Sequence, residues 1–313
     1  MAESASVRSD KSQRLQRLRL EAEALSAAFG RVESKARASA NDFGDSGRKR
    51  AGVGESFWQY RRFVREDGAD RIDWRRSGRD DKLFVRETEL ETARTVLFWS
   101  DPAPGFDWRF DNSRESKADY AITLLTALAA SLGRGGEKCG GLMAARPAVA
   151  GSEALARVCE SLVEGPIARQ VSDTQAGLDV GPQLEPPGAK RVAFVLASDL
   201  FGEPQAWKDA LNRLAEHQRA GVMLAINDPA EIMFPFTGRV RFQQPGASEP
   251  SVVVGKAEAL QAAYLERFSA QRAVMRDSLA ALNWPLVEAQ TSEDKQDVLA
   301  RLILAVRSLG LTV

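Results

Sequence analysis

Three acidic residues each close a short apolar run: Asp101 after VLFWS, Asp199 after VLAS and Asp228 after LAIN. If the runs are strands, these carboxylates stand at C-terminal strand ends, where parallel α/β sheets collect their ligands. Two of them side by side could hold a hard cation such as Mg²⁺, which prefers oxygen ligands. Aspartate also caps helices and opens turns, so position alone leaves both readings standing.

Other catalytic patterns are missing. There is no GxxxxGK[ST] and no GxSxG, and Gly52 and Gly54 lack the third glycine and preceding strand of a dinucleotide fingerprint. The one histidine, His217, falls in a polar helical stretch (RLAEHQRAG) and reads as solvated. Cys139 and Cys159 have no CxxC partner, which argues against a Cys/His zinc centre and suits a reducing cytoplasm.

The elements that must position these residues follow from hydrophobic period. TVLFWS, RVAFVLASD and VMLAIND read as buried strands. Between them, ESKADYAITLLTALAASLGRG carries Tyr120, Leu124, Leu125, Leu128 and Leu132 at helical spacing and ends on glycine. SEALARVCESLVEG and EPQAWKDALNRLAEHQRAG are further helices, followed later by a long helix, the short strand PLVEAQ and a last helix. Alternating strands and helices predict a Rossmann-like, doubly wound, mostly parallel sheet covered on both faces. A small β excursion is expected near 232–254.

Upstream, residues 1–12 read as a disordered tail, and 13–50 as a helix plus linker, with Leu15, Leu18, Ala22, Leu25 and Phe29 at helical spacing over about 13–29. Residues 51–94 form a charged, strand-containing extension, and 95–313 the α/β domain. From Tyr60 to Arg94 there are ten basic and nine acidic residues among aromatic and aliphatic ones, and nine of the ten basic residues are arginine. The planar guanidinium fork suits fixed ion-pair networks. Nine acids in the block would repel phosphate. The whole chain carries 43 basic and 43 acidic residues, so no global charge draws it to nucleic acid or an anionic membrane. No stretch approaches the ~20 apolar residues of a membrane span, and the opening residues lack a signal-peptide core. A cytoplasmic protein is expected.

The block GVGESFWQYRRFVREDGADRIDWRRSGRDDKLFVRETE resembles the signature of domain-of-unknown-function family 58 of bacterial proteins. That signature runs G-x-G-x-x-F, an aromatic-Arg stretch, an acidic glycine turn, R-x-I-D-W-(R/K)-x-S-(A/G)-R and L-x-V-R-E. NDPAEIMFPFTGRVRF and Tyr264 extend the similarity, which covers about residues 15–305. The turn departs slightly, reading REDGAD where Gly-Asp is usual.

The resemblance implies a von Willebrand factor type A-like domain that works with a MoxR-type AAA+ ATPase, and other von Willebrand A-like proteins as further partners. It marks Trp58, Arg61, Arg62, Asp70, Arg71, Asp73, Trp74, Arg75, Arg79, Arg86 and Glu87 as partner-binding or bracing residues. In that fold a metal-ion-dependent adhesion site is built from D-x-S-x-S after the first strand, a distant threonine and an aspartate after a later strand. Here Asp101 and Asp199 match the two aspartates, but Ala103 and Gly105 stand at the serine positions and cannot ligate a cation. The implied site is degenerate, with no cofactor expected and Mg²⁺ the one candidate. The expectation is a non-enzymatic adaptor; the alternative is a metal-dependent hydrolase or phosphotransferase using Asp101 and Asp199.

Overall fold

The computed structural model describes residues 2–40, 51–63, 72–78, 82–89, 94–142, 144–164, 182, 184, 192–216, 219–243, 251–311 and 313. The chain divides into a larger unit, residues 1–33 with 94–313, and a smaller one, 34–93. The first helix, α1 (Ala2–Ala40), is longer than the 13–29 that apolar spacing predicts and begins inside the expected tail.

In the smaller unit, β1 (Ala51–Arg62) pairs antiparallel with β2 (Phe84–Glu89), with Arg62 opposite Phe84. Between them stands a single helical turn, α2 (Trp74–Ser77). Asp73 caps it, accepting from the Arg76 N–H at 3.0 Å. Ser77 Oγ accepts from Phe84 N at 2.9 Å, and Arg76 lies 5.0 Å over the Phe84 ring.

The larger unit is built on five parallel strands, β3 (Thr95–Ser100), β4 (Lys138–Gly141), β5 (Val192–Ser198), β6 (Ala220–Asn227) and β9 (Leu286–Gln290). Their order is β4-β3-β5-β6-β9, or 2-1-3-4-5 along the chain. An antiparallel bridge from Cys139 to Val149 adds to the β4 edge. The order reverses between β3 and β5, which creates a crevice at their C-terminal ends. This is a mixed α/β, Rossmann-like doubly wound fold.

Residue alternation explains both layers, because successive strand side chains point to opposite faces. Val96, Phe98, Val195, Leu224 and Ile226 face one core with α3 (Lys117–Arg134), α4 (Glu153–Glu164), α8 (Lys295–Ser308) and the α1 residues Ala22 and Leu25. Trp99, Phe194, Leu196 and Met223 face the other with α5 (Pro204–Ala215) and α7 (Gln261–Ala281). Parallel strands covered on both sides therefore read as continuous apolar runs. Trp207 is fully buried, edge-on to Trp99 at 6.3 Å, and its Nε1 donates to Phe201 O at 2.9 Å. Gly221 is required by close approach: a Cβ there would meet the Trp284 ring at 2.4 Å.

After β6 come α6 (Pro229–Met233) and the hairpin of β7 (Val240–Gln243) with β8 (Ser251–Val254), in the region of the expected β excursion. Among the described residues no helix is long and apolar enough to cross a membrane.

Candidate functional site

The crevice at the order reversal is flanked by Asp101 and Asp199, which follow neighbouring strands paired through Ser100 and Ala197. The next strand, paired from Ser198 to Ala225, leads to Asp228. Parallel register thus gathers the three aspartates picked out by sequence at one end of the sheet.

Asp101 is held by its own loop and by β5. Oδ1 accepts from Ala103 N at 2.9 Å, and Oδ2 accepts from Ser198 Oγ at 2.7 Å. Burial pushes its pKa up to about 6, and the Ser198 hydrogen bond opposes that rise. Ser198 Oγ in turn accepts from Leu200 N at 3.0 Å. Leu200 has φ 59°, a left-handed conformation uncommon for a non-glycine residue. Gln271 of α7 fixes this turn, with Nε2 donating to Leu200 O at 2.7 Å and to Gly202 O at 2.9 Å.

Asp199 is buried. Its Oδ1 accepts from Phe201 N at 3.0 Å, and its Oδ2 from Lys117 Nζ at 2.6 Å. Lys117 is the first residue of α3 and is wholly inaccessible to solvent. Its ammonium also donates to Glu231 Oε1 at 2.5 Å. The rings of Phe201, Trp108 and Phe106 lie 5.4, 5.8 and 6.0 Å from Nζ. Burial opposes the charged ammonium, but Asp199 and Glu231 outweigh it and raise its pKa above the ordinary lysine value.

Glu231 belongs to a capping box. Its Oε2 accepts from Asp228 N at 2.9 Å, while Asp228 Oδ1 accepts from Ala230 N at 2.8 Å. Asp228 Oδ2 accepts from Phe110 N at 3.2 Å. Burial pushes the Glu231 pKa upward, against the pull of Lys117. Every oxygen of the four carboxylates Asp101, Asp199, Asp228 and Glu231 therefore accepts a hydrogen bond from the protein. The donors to the cluster are backbone amides, the Ser198 hydroxyl, the Asn227 side-chain amide and the Lys117 ammonium. Each of these oxygens keeps a second lone pair, but the Lys117 ammonium already occupies the position between Asp199 and Glu231 that a cation would take. Among the described residues no group of three or more His, Cys, Asp or Glu is arranged to hold a metal ion.

Beside the cluster, Phe110 is 54% and Met233 58% exposed, and Phe110 packs edge-on to Phe236 at 5.5 Å. Phe236 meets Phe234 at 5.0 Å, and Phe234 meets Tyr264 of α7 at 4.8 Å. An aromatic ridge thus adjoins the polar cluster.

Of the signature residues, Asp73 caps α2, while Trp74 is 65% exposed and Arg62 and Arg75 are exposed. The side chains of Trp58, Arg61, Asp70, Arg71, Arg79, Arg86 and Glu87 lie outside the described residues, as does His217. Sequence reading missed Lys117, Glu231 and Ser198. Two signals were present. A lysine at the first turn of a helix opposes the macrodipole and calls for a carboxylate partner. The segment DPAE places Asp228 and Glu231 at capping-box spacing.

The protein-family model described as "Protein of unknown function DUF58" matches residues 59–274. No curated protein matches the chain significantly. A solved structure similar to it is the conserved hypothetical protein BatB from Bacteroides thetaiotaomicron, with 13% identity over 69% of this chain and 100% of that one. Its TM-score is 0.36.

Proposed function

The chain belongs to the family of unknown function DUF58, and on that premise we propose that it is a non-enzymatic, von Willebrand A-like interaction module that works with a MoxR-type AAA+ ATPase. The observation that carries this reading is the lysine-bridged carboxylate cluster at the ligand-binding end of the sheet. Its oxygens are all engaged, and beside it stand the exposed side chains of Phe110 and Met233. Such a cluster next to exposed apolar side chains suits protein contact better than turnover of a small substrate.

The degenerate adhesion site supports the same reading. Asp101 uses both oxygens on Ala103 N and Ser198 Oγ, so the loop is shaped without an ion. A hydrolase or phosphotransferase built on Asp101 and Asp199 would have to work with carboxylates already held by Ser198 and Lys117. A cytoplasmic setting is part of the proposal, consistent with Cys139 and Cys159 being free and buried.

Affinity capture from the native host tests it. The full chain should retain a MoxR-type ATPase, and the double substitution Phe110→Asp/Met233→Asp should lose it while melting as wild type does. Capture that recovers no ATPase, or is indifferent to both substitutions, would overturn the reading.

A further inference from the structure

A divalent cation is what strand-end carboxylates at an order reversal most readily bind, yet here the positive charge comes from the chain itself. Lys117 Nζ lies between Asp199 Oδ2 and Glu231 Oε1, one from the loop after β5 and the other from α6 after β6. An ammonium has three donors and no acceptor. Two of them meet carboxylates, and three aromatic rings lie within 6.0 Å of the nitrogen. Ring faces attract a cation but offer no oxygen to ligate a metal. Mg²⁺ needs near-octahedral oxygen at about 2.0–2.1 Å and normally keeps several waters. The ring-lined space around a wholly buried lysine provides neither.

The placement is also unfavourable unless it serves those carboxylates. A cation at the first residue of α3 faces the positive end of the helix dipole. A buried ammonium must recover its lost hydration from fixed partners. Ser116 caps the helix just before it, accepting from Asp119 N at 3.2 Å, so Lys117 is not needed to start α3.

We propose that Lys117 is the resident cation of this site: its ammonium takes the place of a divalent ion, and the strand-end cluster works without metal. The inference stands on the cluster geometry and is independent of the ATPase reading.

Manganese binding to the full chain, read by electron paramagnetic resonance, tests it with two substitutions. Lys117→Ser removes the charge and leaves room, whereas Lys117→Met removes the charge but keeps the volume. Wild type should leave Mn²⁺ free at millimolar concentration. Lys117→Ser should bind at least tenfold more tightly, Lys117→Met should not, and Asp199→Asn added to Lys117→Ser should abolish the gain. Binding by wild type that Asp199→Asn removes, or a folded Lys117→Ser protein no better than wild type, would overturn the proposal. If Lys117→Ser does not fold, lysine ammonium resonances of the wild type decide. A slowly exchanging signal, unbroadened by millimolar Mn²⁺ and lost in Lys117→Met, supports the proposal; selective broadening of that signal by Mn²⁺ defeats it.

Discussion

Lys117 Nζ donates to Asp199 Oδ2 at 2.6 Å, joining the first residue of α3 to the residue that follows β5. These residues are 82 apart in sequence, and both are buried. A buried pair of this kind is costly to desolvate, and removing one partner leaves an uncompensated charge. Asp199→Asn should therefore lower unfolding stability by about 3 kcal/mol. Glu231→Gln should cost less, because its Oε2 keeps the capping hydrogen bond from Asp228 N. Urea denaturation of both variants checks the order.

Asp101 yields a pH prediction. Its pKa rises on folding from 3.8 to about 6, chiefly through burial. A carboxylate raised in this way stabilises the fold fully only below pH 3.8, and that contribution is lost as pH climbs through about 6. Asp101→Asn should therefore gain stability relative to wild type between pH 4 and pH 7. Thermal melts of both proteins across that range should diverge in that direction; a constant difference would contradict the assignment.

Asp119 binds two arginines of α1, beside the Arg14–Asp107 and Lys295–Glu21 ion pairs that also hold this helix. Asp119 Oδ1 accepts from Arg14 Nε at 2.6 Å, and Asp119 Oδ2 accepts from Arg17. Below this pair, Leu18 of α1 packs on Ile122 and Cys159. Asp119→Ala should loosen the N-terminal part of α1 while the sheet stays folded. Trypsin should then cut at Arg14 and Arg17 several-fold faster, with melting of the remainder little changed.

Packing supplies a control far from the site. Gly221→Ala must displace the Trp284 ring, whose Nε1 donates to Arg219 O at 3.2 Å. Overpacking of this kind costs about 1–3 kcal/mol. Calorimetry should show that loss, and Trp284→Leu in the same chain should recover part of it.

How far the sequence reaches is visible in particular residues. Continuous apolar runs such as VAFVLAS specified buried strands, because a strand covered on both faces has no polar side. Leu15, Leu18, Ala22 and Leu25 at helical spacing marked the inner stripe of α1, though not its extent, since polar turns at either end carry no hydrophobic period. The three strand-end aspartates were legible as well, because a strand's end is a local event. Their partners were not. Lys117 looks like an ordinary helix-opening lysine until the sheet order sets β5 beside β3 and α6 beyond β6. Which charge meets which is decided by pairing across tens of residues, and that pairing exists only once the chain is folded. Sequence therefore determined that carboxylates gather at one end of a doubly wound sheet. Tertiary structure alone decided that a lysine, caged by Phe106, Trp108 and Phe201, sits between two of the acids there.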